Sequence, residues 1–534
     1  MITQNAFPVE AWQLRETFLD VDMLAQSESL FALSNGHIGM RGNLDEGEPH
    51  GLPGTYLNNF YELRQLPYAE AGYGYPESGQ TLINVTNGKL IRLLVDDEPF
   101  DIRYGELRSH ERVLDLRAGT LARDVEWLTP TGRRVRIRST RLVSLTQRAV
   151  AAIRYTVEAL DDQPLRVVIQ SELVANEQLP ESSADPRVAA SLHHALQAEH
   201  QARHDLAAVL VHSTAASKLR IAAAMDHEYG GADDCSTATE VYDDLARTTF
   251  TTVLNRGETL DLTKYLAYGW SAVRSVPAIR DQVAAALTGA RHAGWDGLLA
   301  EQREFLDDFW TGADVEVDGD AELQQAVRFA LFHVMQSGAR AERRPIPAKG
   351  LTGNGYDGHC FWDTETFVLP VLTYTMPHAV ADVLRWRCST LDQARERAAQ
   401  LNLSGATFPW RTIHGEECSA YWPAGTAAFH VNADVADAAI RYVNVTGDTE
   451  FERTTGLQLL VETARLWRSL GSHDRDGRFR IDGVTGPDEY SAIVDNNVYT
   501  NLMAQRNLVA AATVAERHVD EARALGVDRE EMAS

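Results

Sequence analysis

The sequence predicts a β-sandwich N-terminal domain over residues 1–272, a helical linker over 273–318 and an all-α domain over 319–534. Three observations predict this order. At 534 residues the chain exceeds one ordinary hydrophobic core and should divide. Up to about residue 270, turn signals separate short runs that alternate apolar and polar residues. Beyond about residue 275 the apolar residues recur at helical spacing.

In RRVRIRSTRL (133–142), Val135 and Ile137 alternate with Arg134, Arg136 and Arg138 after the turn Thr129-Pro130-Thr131-Gly132, the pattern of a half-buried strand leaving a hairpin turn. AVAAIRYTVEAL (149–160), LAAVLVHS (206–213) and ETLDLTKYLAYG (258–269) repeat it, so this half reads as a sandwich. In the linker, Ile279, Val283 and Leu287 lie four apart, and Trp295, Leu298, Leu299, Phe305, Leu306 and Phe309 keep helical spacing. The last part should contain about six helices, at 320–338, around 362–375, and at 376–400, 429–446, 449–470 and 498–519. Long loops between them carry most of the unusual residues, and loops held on rigid helices are where functional groups concentrate.

Composition excludes several classes of function. With 50 basic against 76 acidic side chains, the formal charge of −26 argues against nucleic-acid binding, which depends on Lys and Arg neutralising phosphates. No stretch approaches the roughly 20 apolar residues of a membrane span. The N-terminus, MITQNAFPVEAWQLRETFLD, shows no secretory signal, which points to a cytoplasmic protein. Cys235, Cys360, Cys388 and Cys418 lie too far apart to form a zinc or disulfide framework. His200 and His204 are four apart but fall in a strand-like stretch, and DRDG (474–477) lacks further oxygen ligands, so no metal is predicted.

Three stretches stand out. GLTGNGYDGHCFWDTETFVLP (350–370) places Trp362 beside Asp363 after a run of glycines. An aromatic ring next to a carboxylate suits a sugar, whose C–H faces stack while its hydroxyls need acceptors. The same stretch reads equally well as a glycine loop entering a buried helix capped by Asp363. FPWRTIHGEECSAYWPAGTAAFHVNADVADAA (408–439) gathers Trp410, Glu416, Glu417, Trp422, His430, Asn432 and Asp434. A buried polar cluster at a helix start accounts for His430 and Asn432 as well as ligand binding does. IDGVTGPDEYSAIVDNNVYTN (481–501) sets Asp488 and Glu489 on a stiff Gly486-Pro487 turn, with Asp495, Asn496 or Asn497 available to cap the next helix.

GHCFWDTETFVLP (358–370), FHVNADVADA (429–438) and DGVTGPDEYSAIVDNNVYTN (482–501) together resemble glycoside hydrolase family 65. ALSNGHIGMRGNLDE (32–46), TYLNNFYE (55–62) and DDFWTGADVEVDGDAELQQAVRFALFHVMQ (307–336) support the resemblance, which runs over the whole chain. It implies an N-terminal β-sandwich, a helical linker and an (α/α)6-barrel catalytic domain. Most members are phosphorylases of α-linked glucose disaccharides such as maltose, trehalose, kojibiose or nigerose. By this resemblance Glu489 is the general acid, and Trp362 and Asp363 hold the glucose whose bond is cleaved. Trp410, Glu416 and Glu417 lie towards the acceptor sugar. The resemblance further implies a homodimer with a disaccharide substrate, inorganic phosphate as co-substrate and no organic cofactor.

Such an acid must stay protonated near neutral pH, which burial beside a carboxylate such as Asp488 would achieve. An inverting hydrolase needs a second carboxylate about 6.5–9.5 Å away to activate water, whereas an inverting phosphorylase uses phosphate itself. The resemblance thus implies phosphorolysis to β-glucose 1-phosphate. Family members continue with further helices, a Lys-Gln pair and phosphate-binding loops, so by this resemblance the barrel is incomplete here. Two alternatives stay open: an inverting hydrolase of the same fold, and a truncated, non-catalytic carbohydrate-binding subunit.

Overall fold

A computed structural model describes residues 7–66, 72–179 and 192–533. The chain divides into two compact units, one of residues 1–62, 83–340 and 349–355, the other of residues 63–82, 341–348 and 356–534.

The first unit is built on a ten-stranded antiparallel sheet whose centre runs Glu106–Asp115, Thr120–Leu128, Arg134–Val143, Val150–Ala159, Thr259–Ser271, Arg220–Gly230 and Ala207–Thr214. The strands anticipated at 133–142, 149–160, 206–213 and 258–269 are all present. Ile137 lies opposite Val125 and Val157, and all three are fully buried on one face. On the other face Arg136 pairs with Asp124 of the neighbouring strand. A five-stranded sheet containing Ile91–Val95, Leu165–Val174 and Leu245–Leu254 lies across it. His227 Nε2 meets Ser171 Oγ at 2.8 Å between the two sheets, and Lys264 Nζ donates to the carbonyls of Leu90 and Glu172.

The helix Val276–Ala313 lays Ile279, Val283, Leu287 and Leu298 on Val150, Ala152, Ala222 and Tyr265 of the ten-stranded sheet. It kinks at Gly294, where φ is 69°. What reads as a linker is therefore packed along the sheet as its apolar cover. Alternation of residue types did not reveal a buried ionic layer, in which Arg123 pairs with Glu46 at 2.7 Å and Arg141 with Asp45 at 2.6 Å. Leu196–His204 is a strand, bulged between Ala198 and His200, as expected for the strand-like stretch holding His200 and His204.

The second unit is helical: Leu369–Thr375, Pro377–Ser389, Leu391–Gln400, His430–Thr446, Leu457–Leu470 and Val498–Arg517. The helix expected over 376–400 is two, broken at Thr390, whose Oγ1 donates back to the Arg387 carbonyl. The helix expected over 449–470 carries a π turn at Glu452–Gly456. A second π turn, Thr364–Val368, precedes Leu369–Thr375. Leu401, Phe429, Ala433, Leu466, Trp467, Ile481, Val484 and Ala504 form a core beneath the loops that carry the site.

Candidate active site

Three loops meet at the helix starts of the second unit. Cys360 and Phe361 pair with Thr412 and Arg411 in a short antiparallel ladder, which sets Trp362 beside Trp410 with ring centroids 6.1 Å apart. The approach to this ladder needs Gly358: its φ is +71°, and a Cβ there would lie 2.4 Å from the Cβ of Leu82. Asp363 is in helical conformation and makes no capping bond, so its carboxyl is not consumed as an N-cap.

The 481–501 loop reaches the same place from the other side. Thr485 N–H donates to the Ala427 carbonyl at 2.9 Å, and Val484 and Val494 exchange both backbone bonds, closing the loop at its base. Gly486 packs against Asn497, whose Nδ2 would lie 2.4 Å from a Cβ there and would have to shift. Asn497 caps the next helix, its Oδ1 accepting the Thr500 N–H at 3.0 Å. Asp488 is turned back on its own loop, accepting the Tyr490 N–H. Glu489, exposed at the loop's tip, feels the charges of Asp363 and His430. Burial, then the charge of Asp363, raises its pKa against a smaller opposing effect of His430. Asp363 is raised in turn by burial and by the charge of Asp434. The negative charge that raises Glu489 is thus that of Asp363, from a remote loop, and not that of the adjacent Asp488, a correction to the sequence reading.

Beneath these carboxyls sits an aromatic and polar floor. The His430 ring stands edge-on to Trp362 at 4.7 Å and to Trp410 at 6.1 Å. His430 Nδ1 donates to Asp434 Oδ2 at 2.7 Å, and the Tyr499 hydroxyl donates to Asp434 Oδ1 at 2.6 Å. Asn432 holds the preceding loop, its Oδ1 accepting the Phe408 N–H and its Nδ2 donating to Thr407 Oγ1 and the Phe429 carbonyl.

Glu416 and Glu417 have different surroundings. Glu417 is buried and accepts the backbone N–H groups of Trp410, Cys418 and Ser419, an arrangement that shapes the loop. Glu416 is half exposed, accepting from Gln80 Nε2 at 2.6 Å and lying 3.2 Å from His414 Nδ1, which it raises in pKa. Trp422 donates its Nε1–H to the Tyr73 carbonyl. Gln80 and Tyr73 come from far upstream, and no local signal marks them. Tyr499 was not picked out, and Asp434 was named only within the polar cluster of 408–439, although its four-residue spacing from His430 on one helix face could have flagged the pair.

Among the described residues, no group of three or more His, Cys, Asp or Glu side chains could hold a metal ion, and no helix is long and apolar enough to cross a membrane. Two cavities of the helical unit, about 100 and 560 Å³, are lined by residues of the later helices such as Leu460, Val461, Leu508 and Val509, away from Glu489.

A sheet-rich unit and a helical one whose loops gather tryptophans and carboxyls suit a carbohydrate-active enzyme. Residues 14–309 match the model of the glycosyl hydrolase family 65 N-terminal domain, and residues 328–534 match that of the family's central catalytic domain. The chain belongs to glycosyl hydrolase family 65 and is an enzyme of that type. It is 65% identical over 534 residues to an uncharacterized glycosyl hydrolase of Mycobacterium tuberculosis, covering 100% of this chain and 68% of that protein. An alpha,alpha-trehalose phosphorylase of Thermoanaerobacter brockii is 38% identical over 518 residues, 96% of this chain and 67% of that one. A maltose phosphorylase of Bacillus subtilis is 28% identical, over 97% of this chain and 69% of that protein. A solved structure from the human microbiome, provisionally designated a kojibiose phosphorylase, superposes with a TM-score of 0.90 at 25% identity, covering 99% of this chain and 69% of that one.

Proposed function

We propose that the protein cleaves an α-linked glucose disaccharide by inverting phosphorolysis, with trehalose as the first candidate and maltose as the second. The observation that carries this reading is the juxtaposition of Glu489 with Asp363 beside Trp362. The negative charge of Asp363 raises the pKa of Glu489, which favours the protonated form that a general acid requires. The identity to alpha,alpha-trehalose phosphorylases, 38% and 36%, against 28% to a maltose phosphorylase, supports the order of substrates. The helices of the second unit are read as part of an (α/α)6 barrel, and the enzyme as a cytoplasmic homodimer.

In this mechanism Asp363 accepts hydroxyls of the glucose whose bond breaks, and Trp362 stacks on its apolar face. Glu489 gives its proton to the bridging oxygen as the bond from the anomeric carbon to that oxygen breaks. The acceptor sugar leaves with the electron pair as an alcohol. An oxygen of inorganic phosphate bonds to the anomeric carbon from the opposite face, giving β-glucose 1-phosphate and inverting the centre. Glu489, now a carboxylate, regains a proton before the next turnover. Glu416 and Trp410 face the departing sugar, and Glu417 holds their loop.

The test is incubation with trehalose and, separately, maltose, with and without phosphate, following glucose and the anomeric form of glucose 1-phosphate. Phosphate-dependent β-glucose 1-phosphate is expected, and Glu489→Gln should lower its rate by about 10²–10⁴-fold. Glucose released equally without phosphate would make the enzyme a hydrolase, and no turnover of either sugar would overturn the reading.

A further inference from the structure

Asp363 and Glu489 lie on separate loops, and their carboxyls keep a fixed separation only if those loops are tied together. Besides the Thr485 N–H to Ala427 carbonyl bond at the base of the second loop, a chain of three side chains ties them. Tyr499, the second residue of the helix Val498–Arg517, follows directly on the loop that carries Glu489. Its hydroxyl donates at 2.6 Å to Asp434 Oδ1, and the other oxygen of Asp434 takes the His430 Nδ1–H at 2.7 Å. His430 and Asp434 are buried, and the His430 ring supports the edge of Trp362, the residue before Asp363, at 4.7 Å and 82°. The Tyr499 ring closes the other side of His430 at 5.7 Å. Hydrogen bonds to an ionised carboxylate are short and directional, so both oxygens of Asp434 are committed to fixed directions.

We infer that Tyr499, Asp434 and His430 are positioning residues, forming a strut that sets the separation between Asp363 and Glu489. The inference rests on the reading of Glu489 as the acid. The strut itself touches neither reacting atom. Besides Asp363 and Glu489, the charged groups facing it are Asp437 and Arg441, paired one turn apart on the same helix as Asp434. Misplacing a reacting group by about 1 Å can cost about 10²-fold in rate, so a loosened strut should reach kcat while leaving sugar binding largely intact.

Tyr499→Phe removes only the hydroxyl, and Asp434→Asn keeps the shape of the carboxylate. In Tyr499→Phe we expect kcat for phosphorolysis to fall about tenfold or more at nearly unchanged KM. The alkaline limb of the pH profile should move to lower pH, because Glu489 further from Asp363 holds its proton less tightly. Hydrogen exchange of the amides in 484–497 should quicken about tenfold, with the sheet-rich unit unaffected. Exchange at the wild-type rate in both variants would overturn the strut, whatever the turnover. Faster exchange together with a wild-type protein that turns over neither disaccharide would uphold the strut and instead remove Glu489's role as the acid.

Discussion

Asp363 and Glu489 remain exposed, yet each holds a proton more tightly than a free carboxyl does, through partial desolvation and a neighbouring negative charge. Removing the Asp363 charge lowers the pKa of Glu489, so in Asp363→Asn the residual activity should begin to fall at a lower pH than in wild type. A pH profile of kcat/KM checks this. The same shift has a consequence for stability. A group with a raised folded pKa contributes stability that is full below the unfolded value and lost as pH rises through the folded value. Above the unfolded carboxyl value the raised pKa of Glu489 therefore opposes folding, and Glu489→Gln should melt above wild type at pH 7, the difference closing near about pH 4. Thermal unfolding across pH measures it, and an equal or lower melting temperature at pH 7 would contradict it. Glu489, Trp362 and Asp363 were legible in the sequence because a Gly-Pro turn and an aromatic–acid pair are local features. That Asp363 rather than Asp488 faces Glu489 was not, because that pairing spans more than a hundred residues.

Immediately after Trp362 and Asp363 the chain forms the π turn Thr364–Val368. Glu365 in that turn is fully buried, and both its oxygens accept from Arg387 at 2.6 and 3.0 Å. Arg387 lies in the helix Pro377–Ser389, so one bidentate ion pair fastens the turn bearing the site to the helix behind it. Breaking a buried pair from one side leaves an uncompensated charge, at a cost of about 3–5 kcal/mol. Glu365→Gln should lower the unfolding free energy by that order in denaturant titration, whereas a change below about 1 kcal/mol would place the pair in a solvated setting. Helix positions were legible because apolar spacing reports the buried face. The break at Thr390 and the π turn Thr364–Val368 were not, because neither contains a glycine or proline to announce an interruption.

In the sheet-rich unit Lys89 and Lys264 are fully buried, and burial lowers both ammonium groups to about 7. Lys89 donates to the Gly54 carbonyl and Thr55 Oγ1, and Lys264 to two carbonyls between the sheets. The unfolded chain keeps these protons up to about pH 10, so between about pH 7 and 10 it binds more protons than the folded chain. Stability from these lysines is thus present at high pH and lost as pH falls through 7. The urea midpoint should rise from pH 7 to 9, and Lys264→Met should flatten that rise; an unchanged slope would remove the lysines as its source. The sequence by itself determined the order of a sheet-rich and a helical part, the positions of most strands and helices, the family, and the loops that carry Trp362, Asp363 and Glu489. The family follows from the resemblance of three motifs, and the rest from residue periodicity and turn chemistry, which act over a few residues. Only the tertiary structure decided which groups meet: Asp363 with Glu489, Tyr499 with Asp434, Gln80 with Glu416, and the buried lysines with their carbonyls. Their energies depend on burial and on distances between remote segments, and neither quantity exists until the chain has folded.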